Sequence, residues 1–212
     1  VQMMFALGFV SLFISGGLTG IHLGNSAIDI HLHDTYFVIA HFHLIMGIAA
    51  FFGMFAGIYH WFPKMFGRYM NSTLGYIHFF GTFIGAYVIF WPMHYLGMAG
   101  VPRRYYSFDT FDAFKHFAEM NKFITIAAIL SFVIQLLFIV NFFYSIWKGK
   151  KVTKKNPYDA NTLEWTTPIE PLHGNWPGNI PAVNRWAYDY NKDEREFVPQ
   201  YEPLKEGEVG DH

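Results

Sequence analysis

The chain has 212 residues, of which 52% are hydrophobic, 20% aromatic and only 15% charged, with a formal net charge of -1. That balance fits an integral membrane chain with the lipid bilayer as a partner, and it excludes the basic surface that a nucleic-acid partner needs. No cysteine is present, so this chain offers no disulfide, iron-sulfur cluster or thiolate-bound copper, and a metal must rest on His, Asp or cofactor nitrogens.

The first apolar stretch, Gln2 to Leu23, starts directly after Val1 without a charged flank or a small-residue cleavage site. It reads as a membrane span rather than a signal peptide, and the chain reads as a piece of something longer. Its Gly16-Gly17-Leu18-Thr19-Gly20 patch admits the close approach of a neighbouring helix or a flat cofactor, with helix packing the default cause. A second span is expected over Tyr36 to Phe62, with small residues at Gly47, Gly53 and Gly57, a third over Thr73 to Leu96, and a fourth over Phe123 to Trp147. Each exceeds the ~20 residues that a crossing needs. The expected fold is therefore an all-α membrane protein with four transmembrane helices, residues 1-148 forming the transmembrane region.

From Gly149 the composition turns to Pro, Asn, Trp and charge, and residues 149-212 read as an irregular soluble tail laid along a partner or the membrane surface. Its end, Leu204 to His212, is polar and glycine-containing, and is expected to be mobile. Four crossings return the chain to its starting side. Lys64 and Arg68, with Lys148, Lys150, Lys151, Lys154 and Lys155, mark that side as cytoplasmic by the positive-inside rule, although Arg103, Arg104, Lys115 and Lys122 weaken the bias.

Chemistry concentrates in His33-Asp34-Thr35-Tyr36-Phe37-Val38-Ile39-Ala40-His41-Phe42-His43. Ionisable groups within a span are costly and by default functional. On a helix, residues two apart are turned by roughly 200°, so His41 and His43 face opposite ways and cannot chelate one metal together. They suit two prosthetic groups flanking one helix, with Phe42 between. For a helix starting near Asp34, His41 lies about two turns, or roughly 10 Å, inside the span. A neutral imidazole there is a good axial ligand for haem iron; a hydrogen bond to a neighbouring helix is the plainer role.

His33 and Asp34 stand at the outer helix start. Asp34 either caps the helix or joins His33 in binding magnesium or manganese, with further ligands from another chain. In the loop Val101-Pro102-Arg103-Arg104-Tyr105 the two arginines diverge and suit two separate anions, either haem propionates or lipid phosphates. Asp29 is a neighbouring carboxylate, either sharing a proton with a propionate or an ordinary loop carboxylate. His22, His31, His60, His78 and His94 carry less weight, as interfacial histidines are common.

These motifs resemble the carboxy-terminal third of subunit one of the haem-copper oxidases, of the cytochrome c oxidase kind. The resemblance runs through His33-Asp34-Thr35-Tyr36, Ala40-His41-Phe42-His43, His60-Trp61-Phe62-Pro63 and Gly100-Val101-Pro102-Arg103-Arg104-Tyr105. It continues in the tail with Asn156-Pro157, Thr162-Leu163-Glu164-Trp165 and His173-Gly174-Asn175, which are similar to bacterial members. It implies that His41 is the axial ligand of the high-spin haem where oxygen binds, and His43 that of the low-spin haem, with Phe42 between them. It also implies that His33 and Asp34 bind magnesium near subunit two, that Arg103 and Arg104 hold propionates, and that Asp29 and Tyr36 belong to the propionate network. The four spans would end a bundle of about twelve helices in the bacterial inner membrane, with a cytoplasmic tail.

The implied cofactors are two haems of the haem A type, copper and magnesium or manganese; the partners are subunits two and three, the rest of subunit one, and cytochrome c or a cytochrome-containing donor. Two departures stand out. His22 and His31 occupy positions expected to be apolar, and the copper ligands, the second low-spin ligand and the principal proton channels lie outside this chain. A quinol oxidase or nitric oxide reductase relative is the near alternative. A haem-free transporter or scaffold is the distant one, and it does not explain why diverging histidines, a cation-like pair and twin arginines converge on one side.

Overall fold

The computed structural model describes residues 1–108, 111–169, 176, 178–188 and 198–203. They fall into two compact units. The first comprises Val1–His60 and Asn71–Tyr144, and the second Trp61–Met70 with Ser145–His212. Four helical stretches are long and apolar enough to cross a membrane: Gln2–Gly24, Tyr36–Phe66, Ser72–Met98 and Asp112–Lys148. Their bounds extend the expected spans by a few residues. The fourth gains most, because a 3-10 helix over Asp112–Phe117 leads directly into it.

In the first unit, α1 (Gln2–Gly24) is followed by a short α2 (Ser26–Leu32), started by Asn25, whose side-chain oxygen accepts from Ala27 N at 3.0 Å. α3 (Tyr36–Phe42) begins the second span. Its cap is Thr35, whose hydroxyl accepts from Phe37 N and donates to Leu32 O at 2.6 Å. Asp34 is therefore not the cap. It sits in the left-handed region with φ 57°, a conformation that aspartate tolerates better than most residues. Starting at Tyr36, the helix carries His41 only about 7.5 Å in from its first residue, less than the sequence-based depth.

The second span is not a uniform α-helix. His43–Ile48 form a π-helical stretch before α4 (Ala49–Phe66) resumes the regular turn. Stretches of this kind are uncommon and concentrate at functional sites. α5 (Ser72–Met98) is capped by Asn71, and α6 (Ala118–Lys148) closes the set. The core holds Phe5, Leu12, Phe37, Ala40, Leu44 and Phe52, with Leu96 and Val101 at and just beyond the end of α5. Gly97 lets α5 lie directly on the backbone of Phe37, where a Cβ would collide with main-chain atoms. That contact brings the start of α3 directly against α5, about one turn before His41.

In the second unit, β1 (Arg68–Tyr69) pairs antiparallel with β2 (Lys150–Lys151), Arg68 opposite Lys151. Arg68 Nη1 donates to Gly149 O at 2.7 Å, and the Lys64 ammonium donates to Trp165 O at 2.9 Å and to Thr167 O. A one-turn helix, α7 (Leu163–Thr166), buries Trp165 edge-on to Tyr158 with ring centroids 4.8 Å apart. These short elements interrupt what the sequence presents as an irregular tail. Asn156 builds the turn, its side-chain oxygen accepting from Tyr158 N and Ala160 N. The His173-Gly174-Asn175 motif and the Leu204 to His212 stretch lie outside the described residues.

Candidate functional site

The opposed orientation expected of His41 and His43 is present, and the two rings are held by different means. His41 faces α1. Its Nδ1 lies 2.8 Å from Gly16 O and 3.0 Å from Thr19 Oγ1. A carbonyl only accepts, so Nδ1 carries the proton and Nε2 is left with the lone pair. The ring fits because α1 has no side chain opposite it: a Cβ on Gly20 would meet His41 Cε1 at 2.9 Å. Gly16 likewise yields to the chain beyond His43, where a Cβ would meet Ile45 N at 2.8 Å. The glycine patch thus serves helix packing, the default cause read from the sequence, and Gly20 also makes room for the His41 ring.

His43 faces α5. Its Nδ1–H donates to Ile39 O at 2.8 Å, one turn back on the same helix, which again leaves Nε2 as the acceptor nitrogen. Phe90 of α5 stacks on the His43 ring at 4.8 Å and 13°, and Phe42 lies against its other side at 4.4 Å. Phe90 also lines a half-open cavity of about 460 Å³, walled by Ile48, Phe51, Phe55, Ala86 and Ile89 among others, which His43 itself does not line. Its walls are mostly apolar, with Thr82, Ser131 and Gln135 as the polar side chains, and suit an apolar ligand surface.

The loop before α3 and the loop after α5 are stitched together. Tyr36 N donates to Val101 O at 3.0 Å, Arg103 N donates to Asp34 O at 2.9 Å, and Thr35 bridges Pro102. Arg103 Nη2 pairs with Asp34 Oδ1 at 2.6 Å, while Asp34 Oδ2 is 3.5 Å from His33 Nε2. Asp29 lies on the other side of the same imidazole, with Oδ2 4.0 Å from His33 Nδ1. Asp29, His33, Asp34 and Arg103 therefore form one cluster. Tyr36 is brought instead to Tyr105, their hydroxyls 2.6 Å apart, and Arg104 is exposed. The Nε of Arg103 is buried without a hydrogen-bond partner among the described residues, a donor waiting for an acceptor. No group of three or more His, Cys, Asp or Glu side chains converges to hold a metal ion among the described residues.

The remaining histidines separate by environment. His22 and His31 are exposed. His78 is fully buried in a satisfied network: it donates to Gln135 Oε1 at 3.1 Å, and Gln135 Nε2 donates to Thr82 Oγ1 at 2.9 Å. His94 is buried against Phe37 and Trp91. Sequence reading did not single out Thr19, Ile39, Phe90 or Tyr105. The glycine patch was a signal for the α1 side and Tyr105 closes the Gly100–Tyr105 motif, whereas nothing local marks Phe90, an ordinary aromatic residue until the fold brings it to His43.

Fold and site define a helical membrane chain whose second span presents two imidazoles to opposite neighbours, each with its Nε2 available. The family model described as Cytochrome C and Quinol oxidase polypeptide I matches residues 1–133, and the chain belongs to that family. It is 47% identical over 213 residues to an alternative cytochrome c oxidase subunit 1 of Bradyrhizobium diazoefficiens, covering 99% of this chain and 36% of the relative. It is 45% identical over 195 residues to a cytochrome c oxidase subunit 1 of Thermostichus vulcanus, covering 92% and 34%. The chain thus spans about a third of the length of these curated relatives. A solved structure of a heme-copper terminal oxidase dimer shares the fold, with a TM-score of 0.62 at 18% identity over 70% of this chain and 27% of that one.

Proposed function

We propose that the chain forms a portion of the catalytic subunit of a terminal respiratory oxidase, which reduces oxygen to water with electrons from cytochrome c and couples this to proton pumping. The observation that carries the reading is the pair of opposed histidines, each with Nδ1 tied to a backbone carbonyl and Nε2 left as a ligand nitrogen. Haems and copper supply the electron transfer and oxygen chemistry when bound; the chain supplies binding, orientation and exclusion of water. His41 holds the high-spin haem and His43 the low-spin haem, with Phe42 between, and the copper ligands lie outside this chain.

The surroundings fit those groups. The apolar cavity beside Phe90 suits a porphyrin edge or its apolar substituent, and the unpartnered Arg103 Nε suits a propionate oxygen. Arg103 and Arg104 hold propionates, with Asp29 and Tyr36 in their network. His33 and Asp34 bind magnesium or manganese with donors from another subunit. The pair is too small a set to close a cation site by itself. Haem A is the proposed haem type.

In this reading the four spans complete a bundle of about twelve helices with the rest of subunit one. Subunits two and three are partners, the membrane is a bacterial inner membrane, and residues 149-212 form a cytoplasmic tail that follows the transmembrane residues 1-148. The family description also covers quinol oxidases, so a quinol donor is the second reading; turnover assays with each donor separate them.

Reduced-minus-oxidised spectra, with and without carbon monoxide, test the proposal on the native assembly containing this chain. Two haem signals are expected, only one of which responds to carbon monoxide. His41→Ala should remove the responding signal and His43→Ala the other. An intact assembly without haem signals would refute the oxidase reading in favour of a transporter or scaffold.

A further inference from the structure

Three hydroxyl residues, Ser11, Ser15 and Thr19, recur every fourth position on one face of α1. The Tyr87 hydroxyl of α5 takes up the first two, at 3.1 Å from Ser11 Oγ and 3.0 Å from Ser15 Oγ. This clasp fixes how far α1 is displaced along α5, and one turn further on it leaves Thr19 opposite the His41 ring.

A threonine in a helix ordinarily turns its hydroxyl back to a carbonyl in the preceding turn, and Thr19 does so, donating to Gly16 O at 2.7 Å. That donation orients an oxygen lone pair away from α1. In most apolar interfaces such a lone pair meets nothing polar. Here it meets His41 Nδ1 at 3.0 Å, and the same Nδ1 lies 2.8 Å from Gly16 O. The two oxygens and the ring nitrogen close a three-membered hydrogen-bonded set: Thr19 donates to Gly16 O, and the single Nδ1 proton is shared between Gly16 O and Thr19 Oγ1. The set controls two properties of the ring. Two acceptors define the ring plane where one would allow it to swing, and each acceptor on Nδ1–H increases the electron-donating strength of Nε2.

We infer that Thr19 is a positioning residue for His41, its hydroxyl sharing the Nδ1 proton with the Gly16 carbonyl and so setting the direction and donor strength of Nε2. The inference rests on His41 being the axial ligand of the high-spin haem. Outer partners of this kind are commonly worth about 10- to 100-fold in metal affinity.

The test compares Thr19→Val and Thr19→Ser in the native assembly. Valine keeps the shape and removes the hydroxyl, whereas serine keeps the hydroxyl and removes the methyl. The readout is the iron–histidine stretching band of the reduced high-spin haem in resonance Raman spectra, together with retention of that haem against an apoprotein acceptor. Thr19→Val should move the band to lower frequency and weaken retention tenfold or more. Thr19→Ser should restore both, and the low-spin haem signal should stay in place throughout. Where Thr19→Val yields no assembly, Thr19→Ala is measured with the same expectation. An unmoved band in the hydroxyl-free variant, or a serine variant displaced as far as valine, overturns the inference and reduces Thr19 to packing. A carbon monoxide-responsive haem that survives His41→Ala would instead overturn the ligand assignment beneath it.

Discussion

Gly20→Ala is a sharp probe of how the His41 ring is seated. A Cβ at Gly20 would stand 2.9 Å from His41 Cε1 and 3.6 Å from Nε2, closer on the first count than side-chain carbons approach in folded proteins. The ring has little room to retreat, because its Nδ1 is tied to Gly16 O and Thr19 Oγ1 on the same helix. Either those bonds lengthen or α1 moves away from α3. Overpacking of this size costs about 1–3 kcal/mol, and each 1.4 kcal/mol is about tenfold in an equilibrium.

Replacing glycine in a helix also stabilises it, by about 0.5–1 kcal/mol. Two sites on the same helix control for that gain: a Cβ at Gly24 meets nothing within 4 Å, and one at Gly17 makes only an ordinary contact at 3.9 Å. The difference between Gly20→Ala and these variants isolates the collision with the ring. If His41 and His43 hold haems as proposed, the assay is the carbon monoxide difference spectrum of the purified assembly, normalised to the low-spin signal. A severalfold or larger loss of the carbon monoxide-responsive haem is expected for Gly20→Ala, with the Gly17 and Gly24 variants close to wild type. If all three alanine variants behave alike, the seat of His41 is not where the structure puts it.

The network around His78 should behave as a unit. Gln135→Leu leaves His78 Nε2–H without its acceptor in a fully buried site, at a cost of about 1–3 kcal/mol. His78→Leu should cost similarly, and the double variant less than the sum; additive losses in thermal melts of the assembly would show that the two do not interact. In the tail, burial pushes the Tyr158 hydroxyl from 10.0 up to about 12. The sign follows from the folded state resisting ionisation: the stabilisation is complete below pH 10 and is lost as pH rises through about 12. Near-ultraviolet dichroism of Trp165, packed edge-on to Tyr158, should fall in that window, and Tyr158→Phe should abolish this component; an unchanged profile in that variant contradicts the burial.

Much of the architecture was legible because long apolar runs have one physical solution in a bilayer, helices with their backbone groups internally paired. The first three spans emerge one to four residues longer than read, and the fourth starts at Asp112 rather than Phe123 because the 3-10 lead-in at Asp112–Phe117 lies beyond the apolar window. The opposed facing of His41 and His43 followed from helical rotation alone. What could not be read were properties that depend on a partner from another helix. Asp34 looks like a cap by residue type, yet its left-handed backbone takes it out of that position and Thr35 accepts from Phe37 N instead. The π-helical turn after His43 has no compositional mark in His43-Leu44-Ile45-Met46-Gly47-Ile48. Lys64 reads as a charge that orients the span, and only the fold shows its ammonium bound to tail carbonyls.

The two histidines differ in what their orientation depends on. His43 is tethered to Ile39 on its own helix, so its ring follows the local turn wherever that helix goes. His41 is tethered to α1, to groups 22 and 25 residues away in sequence, so its ring is correct only while α1 and α3 keep their mutual placement. That placement is held from both ends of the contact. The Tyr87 clasp fixes α1 against α5, and Gly97 lets α5 bear directly on the backbone of Phe37 in α3. Displacement of α1 from α3 therefore breaks the His41 hydrogen bonds and leaves that of His43 in place. In the oxidase reading this asymmetry puts the hydrogen bond that orients the oxygen-site ligand under the control of interhelical packing, while that of the other ligand is made within its own helix and α5 adds only the Phe90 stack.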